Sequence, residues 1–194
     1  MSKAVKVTLV EDDLDFAYLI QKLITKDERM FFLEHAVNHA AGVEAAVRLR
    51  PDVVVMDLNL SGSELDGIAA AKEIRLATDA KVVLLTSYEQ PEIIIDASKR
   101  AFASGYVFKS QCTVLTDTIY KTSVSNTPQE VFIKELLLNE LSYAERSVLN
   151  ELLSGEVEAA AQSSQKTKAN QKTSIFKKLG LRNTNELIHI FRNW

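Results

Sequence analysis

Cysteine is nearly absent. The one thiol, Cys112, rules out an intramolecular disulfide and reads as an ordinary small side chain. No apolar run approaches the ~20 residues that a membrane-spanning helix needs. The first strand-like run begins at Val5, which leaves no room for a signal peptide. The expectation is a cytoplasmic protein. No glycine-rich nucleotide loop follows that first strand, so a dinucleotide-binding Rossmann domain is disfavoured. There is no internal repeat and no low-complexity segment. Acidic residues are also missing from one long stretch: between Ala159 and Asn185 there is neither Asp nor Glu.

What is present is ordinary in bulk and uneven in detail. The 194 residues are 46% hydrophobic and 25% charged, a globular composition. That length allows one large domain, or one medium and one small. Residues 1–140 hold 15 Lys and Arg against 21 Asp and Glu, a net of −6. Residues 141–194 hold 8 against 5, a net of +3. An acidic body with a basic end suggests two modules, the second suited to an anionic partner.

Periodicity divides the first module. "VKVTLV", "FFLEHAV", "DVVVMDL", "KVVLLTS" and "GYVFK" read as strands. "EDDLDFAYLIQKLITKD", "HAAGVEAAVRLR", "DGIAAAKEIRLAT", "PEIIIDASKRAFA" and "TVLTDTIYKTSV" read as helices. The three prolines punctuate this order. Pro51 stops a helix, Pro91 opens one, and Pro128 sits in the polar boundary "SNTPQE". Strict alternation predicts an α/β fold: parallel strands, right-handed crossovers and helices on both faces. The continuously apolar runs 53–56 and 82–85 fit central, doubly covered strands. The predicted architecture is a flavodoxin-like, doubly wound sheet of five strands in the order 2-1-3-4-5.

Ligands in such sheets bind beyond the carboxyl ends of the strands. Glu11-Asp12-Asp13 ends the first strand, Asp57 the third, Thr86-Ser87 the fourth and Lys109 the fifth. Asp13 suits a helix N-cap. Clustered carboxylates repel unless a cation joins them, and oxygen-only ligands suit Mg²⁺. A carboxylate flanked by a divalent cation, an ammonium and a hydroxyl is placed to attack a phosphoryl group and hold the acyl phosphate. A lone strand-end aspartate is usually a turn former. Four matched strand ends in one sheet are a different signal.

"VTLVEDD", "VVVMDLNL", "VVLLTS" and "SGYVFKS" resemble the receiver domain of two-component response regulators. The resemblance implies Asp57 as phosphoacceptor, with Mg²⁺ held by Glu11, Asp12, Asp57 and the backbone carbonyl of Asn59. It further implies that Thr86 and Lys109 contact the phosphoryl group and that Tyr106 changes rotamer with Thr86. One departure stands out. In "LNLSGSELDG" the family usually has proline where Ser61 stands, and reaches its Asp-Gly two residues sooner.

The basic end reads helical throughout. Lys166, Asn170, Thr173, Ser174 and Lys177 share one face of a helix, and Thr167 and Gln171 lie among them. Such amides, hydroxyls and amines can reach bases and phosphates in a major groove. Ile175, Phe176 and Leu179 supply packing, and Gly180 suits the position just past the helix. "LSYAERSVLNELLSG" with "KTKANQKTSIFKKLGLRNTNELI" resembles the LuxR/NarL-type helix-turn-helix. The resemblance implies a recognition helix at 165–179 and a dimerisation helix with Leu187, Ile188 and Phe191 as its apolar side. Two features depart from it. The stretch before Lys166 is about four residues short, so the scaffold helix "EVEAAAQSS" is truncated or recast, and Lys168 and Lys172 occupy normally apolar positions.

The expected organisation is a receiver at 1–125, a linker with helical character ("VFIKELLLNEL") at 126–140 and an all-α helix-turn-helix domain at 141–194. The expected function is a response regulator and not an enzyme. A histidine kinase would be its phosphoryl donor, double-stranded DNA its target and a homodimer its working form. An alternative keeps the switch and gives the helical tail a protein partner. A haloacid-dehalogenase-like phosphohydrolase is disfavoured, because Asn59 stands where that chemistry places a second aspartate.

Overall fold

A computed structural model describes residues 3–60, 64–155 and 162–192. The departing residues 61–63 and 156–161 lie outside this set, and with them most of "EVEAAAQSS". The chain forms two compact units, Met1–Ile133 and Lys134–Trp194.

In the first unit five strands alternate with helices. The strands are β1 (Val5–Val10), β2 (Met30–Ala36), β3 (Val53–Asp57), β4 (Lys81–Thr86) and β5 (Gly105–Phe108). The helices between and after them are α1 (Leu14–Lys26), α2 (His39–Leu49), α3 (Glu64–Ala77), α4 (Pro91–Arg100) and α5 (Leu115–Val124). All pairings are parallel and the order is β2-β1-β3-β4-β5, as the alternation predicts. Val53 to Met56 and Val82 to Leu85 are at most 1% exposed, because helices cover both faces of the central strands. Val7, Leu9, Ile20, Ile24, Val55, Leu85 and Ile119 belong to one core cluster.

Local chemistry sets the helix ends. Asp13 caps α1, and its carboxylate accepts from the Asp15 and Phe16 amides at 3.0 Å each. Asn38 caps α2 through the Ala41 amide. The final receiver helix starts later than its periodicity suggests, because Lys109–Val114 first makes a 3-10 turn. Phe102, just past α4, adopts φ +50° with its side chain 1% exposed. The left-handed backbone costs roughly 1–2 kcal/mol, and burial of the ring offsets it.

A further helix, α6 (Pro128–Leu138), runs through the expected linker, and the division between units falls within it. The second unit then holds α7 (Tyr143–Ser154), α8 (Gln162–Leu179) and α9 (Thr184–Arg192). Ser142 and Glu145 form a reciprocal capping box on α7. α8 ends as predicted at Gly180, φ +64°, where the Leu181 amide reaches back to the Phe176 carbonyl at 2.9 Å. On α9 the buried residues are Leu187, Ile190 and Phe191, while Ile188 is only half-buried. The buried stripe therefore keeps Leu187 and Phe191 of the expected set and takes Ile190 in place of Ile188.

Candidate functional site

The acidic strand ends meet. Ligand oxygens of Glu11, Asp12 and Asp57 all lie within 4.8 Å of one another. Lys109, from the last strand end, inserts its ammonium between two of them, 2.7 Å from Glu11 Oε2 and 3.0 Å from Asp57 Oδ2. Parallel strands make this possible: β1, β3 and β5 all point their carboxyl ends to the same side. A cavity of about 380 Å³ opens there, lined by Glu11, Asp12, Asp57, Asn59, Tyr88 and Lys109.

The charges are not equally hydrated. Glu11 is fully buried and Asp57 is 3% exposed, whereas Asp12 is the most open of the three. Burial, reinforced by the Asp57 charge, pushes the Glu11 carboxyl up to about 7 although Lys109 opposes it. Burial also works against the Lys109 ammonium. Glu11 and Asp57 outweigh it and hold Lys109 above the usual lysine range. One ammonium facing three carboxylates leaves negative charge over. Such a donor set fits a hard divalent cation with several water ligands.

Thr86 is 1% exposed at the end of β4, and its Oγ1 accepts from the Tyr88 amide at 3.0 Å. Tyr106 is half-buried on β5, paired with Leu84, with its ring centroid 5.8 Å from that of Phe108. Asn59 is exposed beside Asp57 and lines the cavity. The structure thus brings Glu11, Asp12, Asp57, Asn59 and Lys109 to one cavity, with Thr86 two residues from its lining Tyr88.

Sequence reasoning missed the supports. The Lys109 ammonium lies 4.8 Å from the centre of the Phe16 ring, a cation–π contact that fixes its height. His35 Nε2 donates to the Glu11 carbonyl at 2.7 Å and so steadies the backbone of the buried acid. Phe16 follows the Asp13 cap in the first turn, a position from which it can reach back over the strand ends. His35 carries no such signal, because its role depends on the β1–β2 register.

The second site is α8. Lys166, Thr167, Asn170, Thr173 and Lys177 are exposed and Gln171 is half-buried. Ser174 is turned elsewhere: it is half-buried and hydrogen-bonds the carboxylate of Glu145. The misplaced lysines are explained in part. Lys168 is half-buried and pairs with Glu151 of α7 at 2.7 Å, so its ammonium is matched within the unit. Lys172 lies over the Phe176 ring at 6.0 Å. Lys178 pairs with Glu145 at 2.7 Å. Two ion pairs therefore set how α8 is rotated on α7.

Glu145 carries a pH signature. The Lys178 ammonium, then Ser174 and Ser142, hold its carboxyl down at about 2 against an ordinary 4.5. A depressed carboxylate stabilises the fold fully above the unfolded pKa, and that contribution is lost as pH falls from about 4.5 toward 2. Glu145→Gln should accordingly melt below wild type at pH 7, with the gap closing toward pH 2 in thermal denaturation.

Comparison with known proteins agrees with this geometry. Residues 7–119 match the family model of the response regulator receiver domain, more than half of the chain. The transcriptional regulatory protein YdfI of Bacillus subtilis is 24% identical over 203 residues, spanning 95% of this chain and 94% of its own. A protein-glutamate methylesterase of Vibrio vulnificus is 33% identical over 84 residues, but these span 43% of this chain and 22% of that protein. The chain thus covers about a fifth of that enzyme, and the likeness lies in the receiver portion. The Salmonella typhimurium RcsB response regulator, solved in a study of DNA interaction, superposes with a TM-score of 0.57 at 22% identity, covering 98% of this chain and 99% of that one. At that identity the likeness speaks for the fold. The full-length agreement supports a receiver followed by a helix-turn-helix output unit. Among the described residues no helix is long and apolar enough to cross a membrane. With the acidic cavity at the strand ends and the family match along residues 7–119, the chain belongs to the response regulator receiver domain family.

Proposed function

We propose that this chain is a phosphorylation-controlled transcription factor of the cytoplasm, with a receiver at 1–125, a linker at 126–140 and a DNA-binding unit at 141–194. The observation that carries the reading is Asp57, its carboxylate at the mouth of a buried strand, 3.0 Å from the Lys109 ammonium and beside Glu11 and Asp12. An Asp57 oxygen attacks the phosphorus of a phosphohistidine on a partner kinase. The P–N bond breaks, and the imidazole leaves with the electron pair and takes a proton. Lys109 moves from the carboxylates toward the incoming phosphoryl oxygens, and the Thr86 hydroxyl donates to one of them. Glu11, Asp12, Asp57 and the Asn59 carbonyl would hold Mg²⁺, whose charge would offset that of the phosphoryl oxygens. Tyr106 responds to the shift of Thr86.

The output is DNA binding by a homodimer. Lys166, Thr167, Asn170, Gln171, Thr173 and Lys177 lie along the face of α8 presented to the duplex, with Ser174 committed to Glu145. A single unit of this size reads few base pairs, and two half-sites multiply the affinity.

A second reading has its own support. Lys168 and Lys178 are spent on α7, so much of the basic character of α8 is internal, which suits a protein partner for the tail. Titrating the full chain with duplex DNA at several salt concentrations, with and without acetyl phosphate, separates the two. DNA binding predicts a steep loss of affinity with salt, close to one logarithmic unit of slope per phosphate contact. No retention at low salt in either state would favour the protein partner.

A further inference from the structure

β5 is an edge strand, bonded on one side to β4, and its outer edge presents backbone groups that need partners. One of them is met in an unusual way. The Tyr106 amide donates to Gln129 Oε1 at 3.2 Å, and Gln129 Nε2 donates to the Tyr106 carbonyl at 3.3 Å. The side-chain amide of α6 thus behaves as a one-residue strand added to the sheet. Gly105 makes room for it: a Cβ there would come 2.8 Å from Gln129 Oε1.

The next residue holds α6 differently. The Glu130 amide donates to Thr127 Oγ1 at 3.1 Å, and the Glu130 carboxylate, 1% exposed, pairs with Lys81 at the start of β4 at 2.9 Å. The first turn of α6 therefore has a buried ionic hold on β4 and a weaker amide hold on β5. Any movement of β5 relative to β4 falls on Gln129.

Such a movement has a source. Phe108 ends β5 beside Thr86, and the next residue, Lys109, bridges Glu11 and Asp57. A phosphoryl group on Asp57 draws the ammonium away from those carboxylates and pulls on the end of β5. The Gln129 bonds lie at the long limit of hydrogen bonding, so a displacement of a few tenths of an ångström breaks them.

We propose that Gln129 is a positioning residue that couples the acceptor to the start of α6: its amide holds the Tyr106 backbone in the resting state and lets go when Asp57 is phosphorylated. The coupling rests on Asp57 as the acceptor. It is also reciprocal. If phosphorylation opens the clamp, removing the clamp must favour the phosphorylated conformation by the same factor.

The test uses the full chain with Mg²⁺ and beryllofluoride, a mimic of the acyl phosphate. Wild type, Gln129→Ala and Gly105→Ala are compared by hydrogen exchange at the Tyr106 amide and by calorimetric affinity for beryllofluoride. Beryllofluoride should speed Tyr106 exchange in wild type about threefold to tenfold, the worth of one hydrogen bond. Both variants should exchange fast without it and bind it more tightly by a similar factor. Unchanged or weaker affinity in both variants overturns the coupling, as does Tyr106 exchange that stays constant in a wild type that binds the mimic. Either result leaves Asp57 as the acceptor. A wild type that does not bind beryllofluoride overturns that reading and the coupling together.

Discussion

Gly67→Ala should cost the receiver about 3 kcal/mol or more, and so strip much of a typical domain's ~5–15 kcal/mol. α3 crosses the end of β3 at this residue. An added methyl would lie 2.2 Å from the Asp57 carbonyl oxygen, 2.5 Å from that of Leu58 and 2.6 Å from the Leu58 Cα. All three are backbone atoms, so no side-chain rotation relieves the clash. Either α3 lifts off the sheet or the backbone that carries Asp57 is displaced. Overpacking usually costs about 1–3 kcal/mol because side chains give way. Here they cannot, and the effect belongs at or above the top of that range. Urea denaturation of the full chain, followed through the receiver, reads it directly. A midpoint within error of wild type would mean that α3 and β3 are not so closely apposed. Any folded fraction should also carry a displaced acceptor and accept phosphoryl groups poorly.

Much of this is legible in the sequence alone. The runs 53–56 and 82–85 are continuously apolar because both faces of those strands are covered, and that pattern fixed them as central. Glu11, Asp12, Asp57 and Lys109 can be gathered from sequence because they end three separate strands, and a parallel sheet aligns such ends. What stayed hidden depends on contacts between elements whose mutual rotation no periodicity records. Phe16 under Lys109, His35 against Glu11 and Gln129 against Tyr106 are of this kind. Ser174 shows the same limit within one helix. Helical spacing groups it with Asn170 and Lys177, yet Ser174 meets Glu145 while those two are exposed. Which way that face turns is decided by Glu145 and Glu151 on α7, through Lys178 and Lys168. Ile188 and Ile190 on α9 differ for the same reason: both fit an apolar stripe, and packing selects Ile190 as buried.

The second large effect concerns the acceptor itself. Asp57 is held nearly out of water, 3% exposed, between an ammonium and two further acids. A carboxylate so placed has charge stabilisation waiting for the oxygens of an incoming phosphoryl group and little competing solvent. Asp12, the more open of the three acids, meets more competing solvent. Substitution at Asp57 should therefore abolish modification instead of redirecting it, and removal of divalent cations should suppress it in the wild type. The most direct measurement is the intact mass of the full chain after incubation with acetyl phosphate and Mg²⁺, wild type beside Asp57→Ala. One added phosphoryl group on the wild type, lost with a chelator and absent from the variant, is the predicted result. No adduct on the wild type, or an equal adduct on Asp57→Ala, would contradict the account.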